Sequence, residues 1–400
     1  MTTLAAPPTA ERVRFDVVTA ESSFDSLASS WDGLVRAMPR PSPFLLHAWL
    51  REWWRHFGDS RELAVHVAFR GDALVAAIPL FIRSISGVRV AEFIGSRESA
   101  LADLLLAPGE SSSIAKQLAQ RITASKVDLV DVFGLPRESR LGGALGSTLQ
   151  HIERVEAPVL DLDGGWDATY RKRLGSKSRN LHRRRKKQLA ALGRLEFDVA
   201  RTRSQLEPAL EDALRLHAMR WSGRPDHSTF GTAAGAAFHR AAFGRLADQD
   251  VARIMTMTLD GRAIAFHSYF VLCDRMYVHR LAFDPALSRF SPGLVCTLAA
   301  IESAAAEGVR RVEFLGGAER YKLELADRLE PLHQSLGLAT GARGRILLAL
   351  RLSAIRTQLR LKRSPAFYRF YYETLGAARR AAAALRKDSR TSELEPETVD

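Results

Sequence analysis

Between Tyr277 and Gly293 the chain reads as a strand, a short polar loop and the start of a helix. The first N–H groups of a helix have no intrahelical partner, and the helix dipole adds positive potential at the same point. A strand that runs into such a helix start predicts an anion site suited to a pyrophosphate. Arg289 would add a charge-assisted contact, Ser291 lies in the same loop, and Gly293 permits close approach of a ligand. The plain alternative is a strand-to-helix connection with Pro292 in the first turn. Period-two alternation places Tyr277 and His279 on one face of their strand, and His267 and Tyr269 on one face of the preceding strand. A tight turn at Cys273-Asp274-Arg275 would make Tyr269 and His279 cross-strand neighbours and gather all four polar aromatics on one face. A one-residue slip would separate them. A third segment, Gly316-Gly317-Ala318-Glu319-Arg320-Tyr321-Lys322, follows a strand end, where α/β folds tend to place ligands. Glu319 equally suits a helix cap.

These residues need a frame, and the pattern of the chain supplies one twice. A strand at Arg14–Val18 and a helix at Ser22–Ala37 lead to a second helix at Leu45–Phe57, which carries Trp49, Trp53 and Trp54 as core side chains. Strands follow at Ala64–Arg70, Leu74–Ile82 and Val88–Ile94, then a helix at Ile114–Ser125 and a strand at Val127–Phe133. After the basic run RKRLGSKSRNLHRRRKK (Arg171–Lys187), helices at Leu206–Trp221 and Ala233–Ala247 precede strands at Val251–Leu259, Ala263–Leu272 and Met276–Phe283. A helix at Leu294–Glu307, stopped by Gly308, leads to a strand at Val309–Leu315. A hairpin meander followed by a helix and a further strand thus occurs in both halves. The tail from Arg343 to Arg386 is basic and helical, interrupted at Ser364-Pro365, with an aromatic second helix around Phe367–Tyr372 and an acidic end.

At 400 residues the chain is too long for one core, and 46% hydrophobic with 26% charged residues is the balance of a folded protein. A net charge of +13 directs it toward phosphates: nucleic acid, anionic lipid, nucleotide-sugars or CoA. Two cysteines, Cys273 and Cys296, exclude a disulfide framework or a four-cysteine zinc site, and both read as small core residues. The first residues lack the apolar region of a signal peptide, and no uncharged apolar run approaches the ~20 residues of a membrane helix. The expected location is the reducing cytoplasm, with no metal cofactor.

Three runs carry a resemblance: FLLHAWLREWWRHFG with ALVAAIPLFIR, then DGRAIAFHSYFVLCDRMYVHRLAFDPALSRFSPG, then EGVRRVEFLGGAERYKLELA. Together they resemble the CelD/BcsL-like acetyltransferases of the GNAT superfamily, linked to cellulose and exopolysaccharide synthesis and related to the FemABX tandem-GNAT aminoacyltransferases. The resemblance covers most of residues 15–340. It implies an α/β (α+β) fold of tandem GNAT-like domains with mixed central sheets, at 14–160 and 165–342, followed by a basic helical tail at 343–400. It also implies that Tyr277–Gly293 forms the acyl-CoA strand and pyrophosphate loop, with Arg289, Ser291 and Gly293 on acetyl-CoA. The usual loop reads Q/R-x-x-G-x-G/A, whereas this one keeps a single glycine, Gly293.

Acyl transfer requires a base for the acceptor, stabilisation of an oxyanion and a proton for the leaving thiolate. His279 is the expected base, Tyr277 the thiolate acid or an acceptor ligand, and Glu319 the alternative base. His267, Tyr269, Tyr321 and Lys322 are expected to face the acceptor, a sugar or lipid-linked envelope precursor. Two rival readings remain open. One is an aminoacyl-tRNA-dependent FemABX-like transferase, for which Arg171–Lys187 would supply a nucleic-acid patch. The other is a non-catalytic binding or scaffold subunit of a polysaccharide assembly system. The basic tail suits peripheral contact with an anionic membrane, and its arginines a cyclic dinucleotide or other anionic regulator.

Overall fold

A computed structural model describes residues 12–96, 98–221, 229–317 and 319–363. In the first half β1 (Val13–Val18), β2 (Glu62–Arg70), β3 (Ala73–Ile85) and β4 (Val88–Phe93) pair antiparallel in succession. Between β1 and β2 lie α1 (Glu21–Asp25), α2 (Ala28–Arg36) and α3 (His47–Phe57). The single helix expected over 22–37 breaks where the Ser26 hydroxyl donates to the Ser23 carbonyl, a side-chain bond that competes with the helical ladder. The short β5 (Leu105–Leu106) returns to β3. Then α4 (Ser112–Ala124) crosses over, and β6 (Leu129–Pro136) lies parallel to β4. α5 (Arg140–Leu145) and β7 (Leu149–Val155) close this half.

The second half repeats the order. β8 (Pro158–Asp161), α6 (Trp166–Arg173) and α7 (Ser176–Ala190) lead to β9 (Leu195–Ala200), α8 (Arg203–Trp221) and α9 (Ala233–Ala247). Antiparallel β10 (Ala252–Leu259), β11 (Arg262–Leu272) and β12 (Arg275–Phe283) follow, and α10 (Pro292–Ala306) crosses to β13 (Arg311–Glu313), parallel to β12. α11 (Arg320–Leu325), β14 (Arg328–Leu329), β15 (Leu332–Gly337) and α12 (Gly341–Arg363) complete the described chain. Both sheets therefore share one plan, four antiparallel strands and then a parallel step: β1-β2-β3-β4-β6 and β9-β10-β11-β12-β13. The fold is mixed α/β, with two mixed sheets built in tandem on one plan.

The halves exchange strands. β15, whose residues the sequence pattern groups with the second half, inserts between β6 and β7 of the first sheet. β8, most of which falls within the first domain expected at 14–160, pairs with β13 and β14 of the second sheet. One apolar core crosses the seam, with Trp49 of α3 edge-on to Phe238 of α9 and to Phe270 of β11. Trp49, Trp53 and Trp54 are all buried. A second core lies between β10–β13 and α10. Glu313, fully buried at the end of β13, accepts from Arg40 Nη2 at 2.7 Å and Arg275 Nη1 at 3.1 Å, tying the halves together.

Cys296 is buried as expected, but Cys273 is exposed, because it forms the β11–β12 turn. α12 lays Arg351 on Asp131 of β6 and leaves Ile346, Leu350 and Leu361 exposed. The second tail helix and acidic end lie outside the described residues. No helix among the described residues is long and apolar enough to cross a membrane.

Candidate active site

β12 and β13 pair for only three residues, Arg275–Tyr277 with Arg311–Glu313. Beyond Tyr277 the strands splay, and a cleft of about 980 Å³ opens between them. Val278–Leu281 and Phe283 form one wall, and Phe314, Gly316, Gly317 and Glu319–Lys322 the other. Ser288, Ser291 and Gly293 stand at one end, with α7 and α8 alongside. The first sheet has the same parallel step, Val90–Ala91 with Leu129–Val130. There the chain fills its own gap: Ala102 N–H donates to the Gly134 carbonyl, and a Cβ at Gly134 would lie 2.7 Å from the Ala100 carbonyl. The loop into α4 carries Glu110, already paired with Arg70 at 2.7 Å, so an anion there comes from the chain itself. Of the two splays, the second is the one left open.

The anion end takes its shape from Ser291, which turns left-handed (φ 52°) at the N-cap of α10 without capping it by its side chain. Pro292 has no N–H, so Gly293 is the first residue of the helix that can offer one. A Cβ on Gly293 would lie 2.9 Å from Phe283 Cδ1, closer than real Cβ contacts come, so the phenyl ring holds this position to glycine. Ser291 and Gly293 line the cleft. Arg289 is exposed and stacks on Phe290 at 4.5 Å, outside the cleft wall.

The four-aromatic cluster does not form. The β11–β12 register shifts at one residue: Ser268 faces Arg280, Tyr269 faces Val278, and His279 is the bulged residue between. Tyr277 and His279 turn toward the first half, whereas Tyr269 packs in the core under α10. Tyr277 Oη donates to the Pro41 carbonyl, and burial raises its phenol well above the ordinary value. The tyrosine is a seam tie. His279 lies among Phe44, Trp49, Phe243, Phe270 and His239, with ring centroids 5.1–6.3 Å away. Its Nδ1 meets Ser268 Oγ at 3.3 Å, its Nε2 is sealed from water, and burial holds its pKa well below 6.5. His267 is fully buried with both ring nitrogens unpartnered, and burial lowers it to about 3.

On the opposite wall, Glu319 occupies the N-cap position of α11 without capping it. Its carboxylate is 57% exposed and meets Lys322 Nζ at 2.8 Å. Lys322 is buried and also donates to the Gly316 carbonyl at 2.5 Å, so it clamps the Gly316–Glu319 turn. Tyr321 lines the cleft, and burial followed by the Glu319 carboxylate keeps its phenol protonated.

Five further groups gather at the inner end and were not singled out from the sequence. His217 and Arg220 of α8 line the cleft, and Arg220 Nη1 donates to the Leu281 carbonyl at 2.9 Å. Arg280 meets Glu98 of the first half at 3.0 Å, and His239 of α9 lies 3.6 Å from the same carboxylate. A bulge has no local signature, and Glu98 is 182 residues from Arg280, so only the tertiary fold brings them together.

Residues 176–323 match the acetyltransferase (GNAT) domain family. No curated protein sequence matches the chain. Among solved structures, the chain is similar to the C-terminal domain of a protein assigned as a lysylphosphatidylglycerol synthetase from Agrobacterium fabrum. The TM-score is 0.52 at 14% identity, over 83% of this chain and 97% of that one. FemX is similar with a TM-score of 0.51 at 10% identity, over 76% of this chain and 95% of that one. A conserved protein of unknown function from Bacteroides thetaiotaomicron gives 0.50 at 12% identity, over 82% and 100%. At these identities the likeness is one of fold. The open cleft lies in the stretch the family covers, and the chain therefore carries a GNAT-fold acetyltransferase domain over residues 176–323.

Proposed function

We propose that the protein is an acyl-CoA-dependent acyltransferase, acetyl-CoA being its simplest donor, that modifies an amine or hydroxyl of an envelope or exopolysaccharide precursor. The observation that carries this reading is the open splay between β12 and β13 at the start of α10, beside a first sheet whose splay is filled. The Gly293 N–H and the helix dipole suit a pyrophosphate. The main chain of Val278–Phe283, without a β13 neighbour, suits the amides of an extended pantetheine arm in the manner of an added strand. Glu319, the more exposed of the two described wall carboxylates, would take the acceptor proton. Tyr321, kept as a phenol, would donate a hydrogen bond to the departing thiolate. Caged His279 positions the bulge.

Thermal unfolding with and without acetyl-CoA tests the donor, and a rise in Tm is expected. Glu319→Gln should cut acceptor-dependent thiol release by ~10²–10⁴-fold while the acetyl-CoA shift persists. A comparable loss in His279→Ala with Glu319→Gln unaffected would reassign the base. A second reading has its own observation: α7 runs Arg183-Arg184-Arg185-Lys186-Lys187 beside the cleft, and Arg185 is in its wall. Binding of charged tRNA without any acetyl-CoA shift would favour an aminoacyl donor.

A further inference from the structure

The bulge at His279 has a geometric effect beyond breaking the register. A bulge sends two consecutive side chains to the same side of a sheet. Here His279 and Arg280 both face the first half, away from α10 and the donor end. The Arg280 backbone N–H is held by Ser268 Oγ at 3.1 Å, and its guanidinium by Glu98 at 3.0 Å. The Glu98 side chain is 2% exposed. His239 spends its Nδ1 on the Gly235 carbonyl at 2.7 Å and turns a bare Nε2 toward the carboxylate. His239 is held at about 3 and His217 at about 4, first by burial and next by Arg280, so both rings are uncharged at neutral pH. Arg280 itself remains 30% exposed at the cleft, and one of its five N–H donors is engaged by Glu98. The two carboxylates of the cleft wall, Glu319 and Glu324, already face Lys322 and Arg320 at 2.8 Å each. Among the described residues, the inner end is thus a preset cation with no counter-ion on its cleft side.

We infer that Arg280 receives an oxyanion carried by the acceptor, a carboxylate or phosphate, and that Glu98 of the first half is its positioning residue. The inference rests on the cleft being the acyl-transfer site, and it narrows the acceptor to an acid-bearing molecule. It also gives the first half, whose own splay is filled, a part in the second half's reaction. Guanidinium is the side chain suited to such a group, because it offers paired N–H donors in a fixed plane.

The test uses the full chain. Inorganic phosphate and, separately, acetate are titrated against chloride at constant ionic strength, with and without saturating acetyl-CoA, and Tm is followed. With the donor site filled, a saturable shift from one of the two anions is expected. The responding anion identifies the acid group. Arg280→Gln should weaken that anion at least ten-fold and leave the acetyl-CoA shift in place. Glu98→Gln should weaken it in the wild-type background and have no further effect in Arg280→Gln, a dependence that general loosening of the seam would not produce. No saturable shift from either anion, or a shift unchanged in Arg280→Gln, overturns the inference. Loss of the acetyl-CoA shift in the wild type overturns the donor reading instead, and the titration without acetyl-CoA still reports on Arg280.

Discussion

Removing the carboxylate of Glu313 should destabilise the protein more than any single substitution on its surface. The group is fully buried and accepts from Arg40 Nε at 3.2 Å, Arg40 Nη2 at 2.7 Å and Arg275 Nη1 at 3.1 Å. The two guanidinium side chains are only 15% and 13% exposed, so water cannot replace what is lost. Arg40 retains Glu330 at 3.2 Å, but among the described residues Arg275 keeps only the Pro39 carbonyl and a distant Asp274. Breaking one side of a buried, hydrogen-bonded ion pair costs about 3–5 kcal/mol, the figure expected for Glu313→Ala. Glu313→Gln preserves shape and one acceptor but removes the charge, and should cost roughly 1.5–3 kcal/mol. For Glu313→Ala this corresponds to a fall in Tm of roughly 6–10 °C at ~2 °C per kcal/mol. Urea unfolding supplies the free energies, and a cycle with Arg40→Met should show coupling of ~1–3 kcal/mol. A Glu313→Ala midpoint within ~1 kcal/mol of wild type, or a cycle that adds without coupling, would refute this account of the seam.

The buried histidines predict acid lability: His66 and His217 lie at about 4 and His239 and His267 at about 3, chiefly through burial. Their pKa values are lower folded than unfolded, so this stability is complete above ~6.5 and falls as the pH drops toward 4, by up to ~1.4 kcal/mol per unit for each. His66→Phe, at a ring with both nitrogens unpartnered, should make urea midpoints measured from pH 7 to 5 fall less steeply. Gly293→Glu should displace Phe283 and place a carboxylate at the start of α10. Calorimetric titration should then show acetyl-CoA binding lost in a folded protein. The exposed Ile346 and Leu350 on acid-free α12 predict salt-sensitive flotation with anionic liposomes, lost on deleting residues 343–400. Equal binding to neutral vesicles would count against it.

What the sequence made legible was local. The hairpins closing at Gly71-Asp72 and Asp260-Gly261, the start of α10 after Ser291 and its stop at Gly308 are each written in two or three residues, and the structure has them. The hydrophobic run at Trp49–Trp54 correctly reads as core. Pairings over long distance were hidden. β8 spans four residues and β15 six, too short for a periodic pattern, and their partners lie in the other half. The bulge at His279 is a matter of register, which alternation alone does not encode. It separated the expected aromatic cluster and created the Arg280–Glu98 pair in its place. Tyr277 reads from the sequence as a thiolate acid or an acceptor ligand, but its hydroxyl donates to the Pro41 carbonyl, 236 residues away, a contact no local pattern encodes.

The exchange of β8 and β15 also sets an order of events on the ribosome. The first sheet has a gap between β6 and β7 that closes only when residues 332–337 have been made. The N-terminal half, although translated first, therefore waits with two exposed strand edges while some 180 residues of second half emerge. Edges held open for that long are sites for misassociation, and a nascent chain of this kind is suited to a chaperone that shields them. A fragment ending near residue 156 should not behave as a domain. A circular permutant that begins at residue 158 would change the timing, since β15 would then be made before the β6 and β7 it must join.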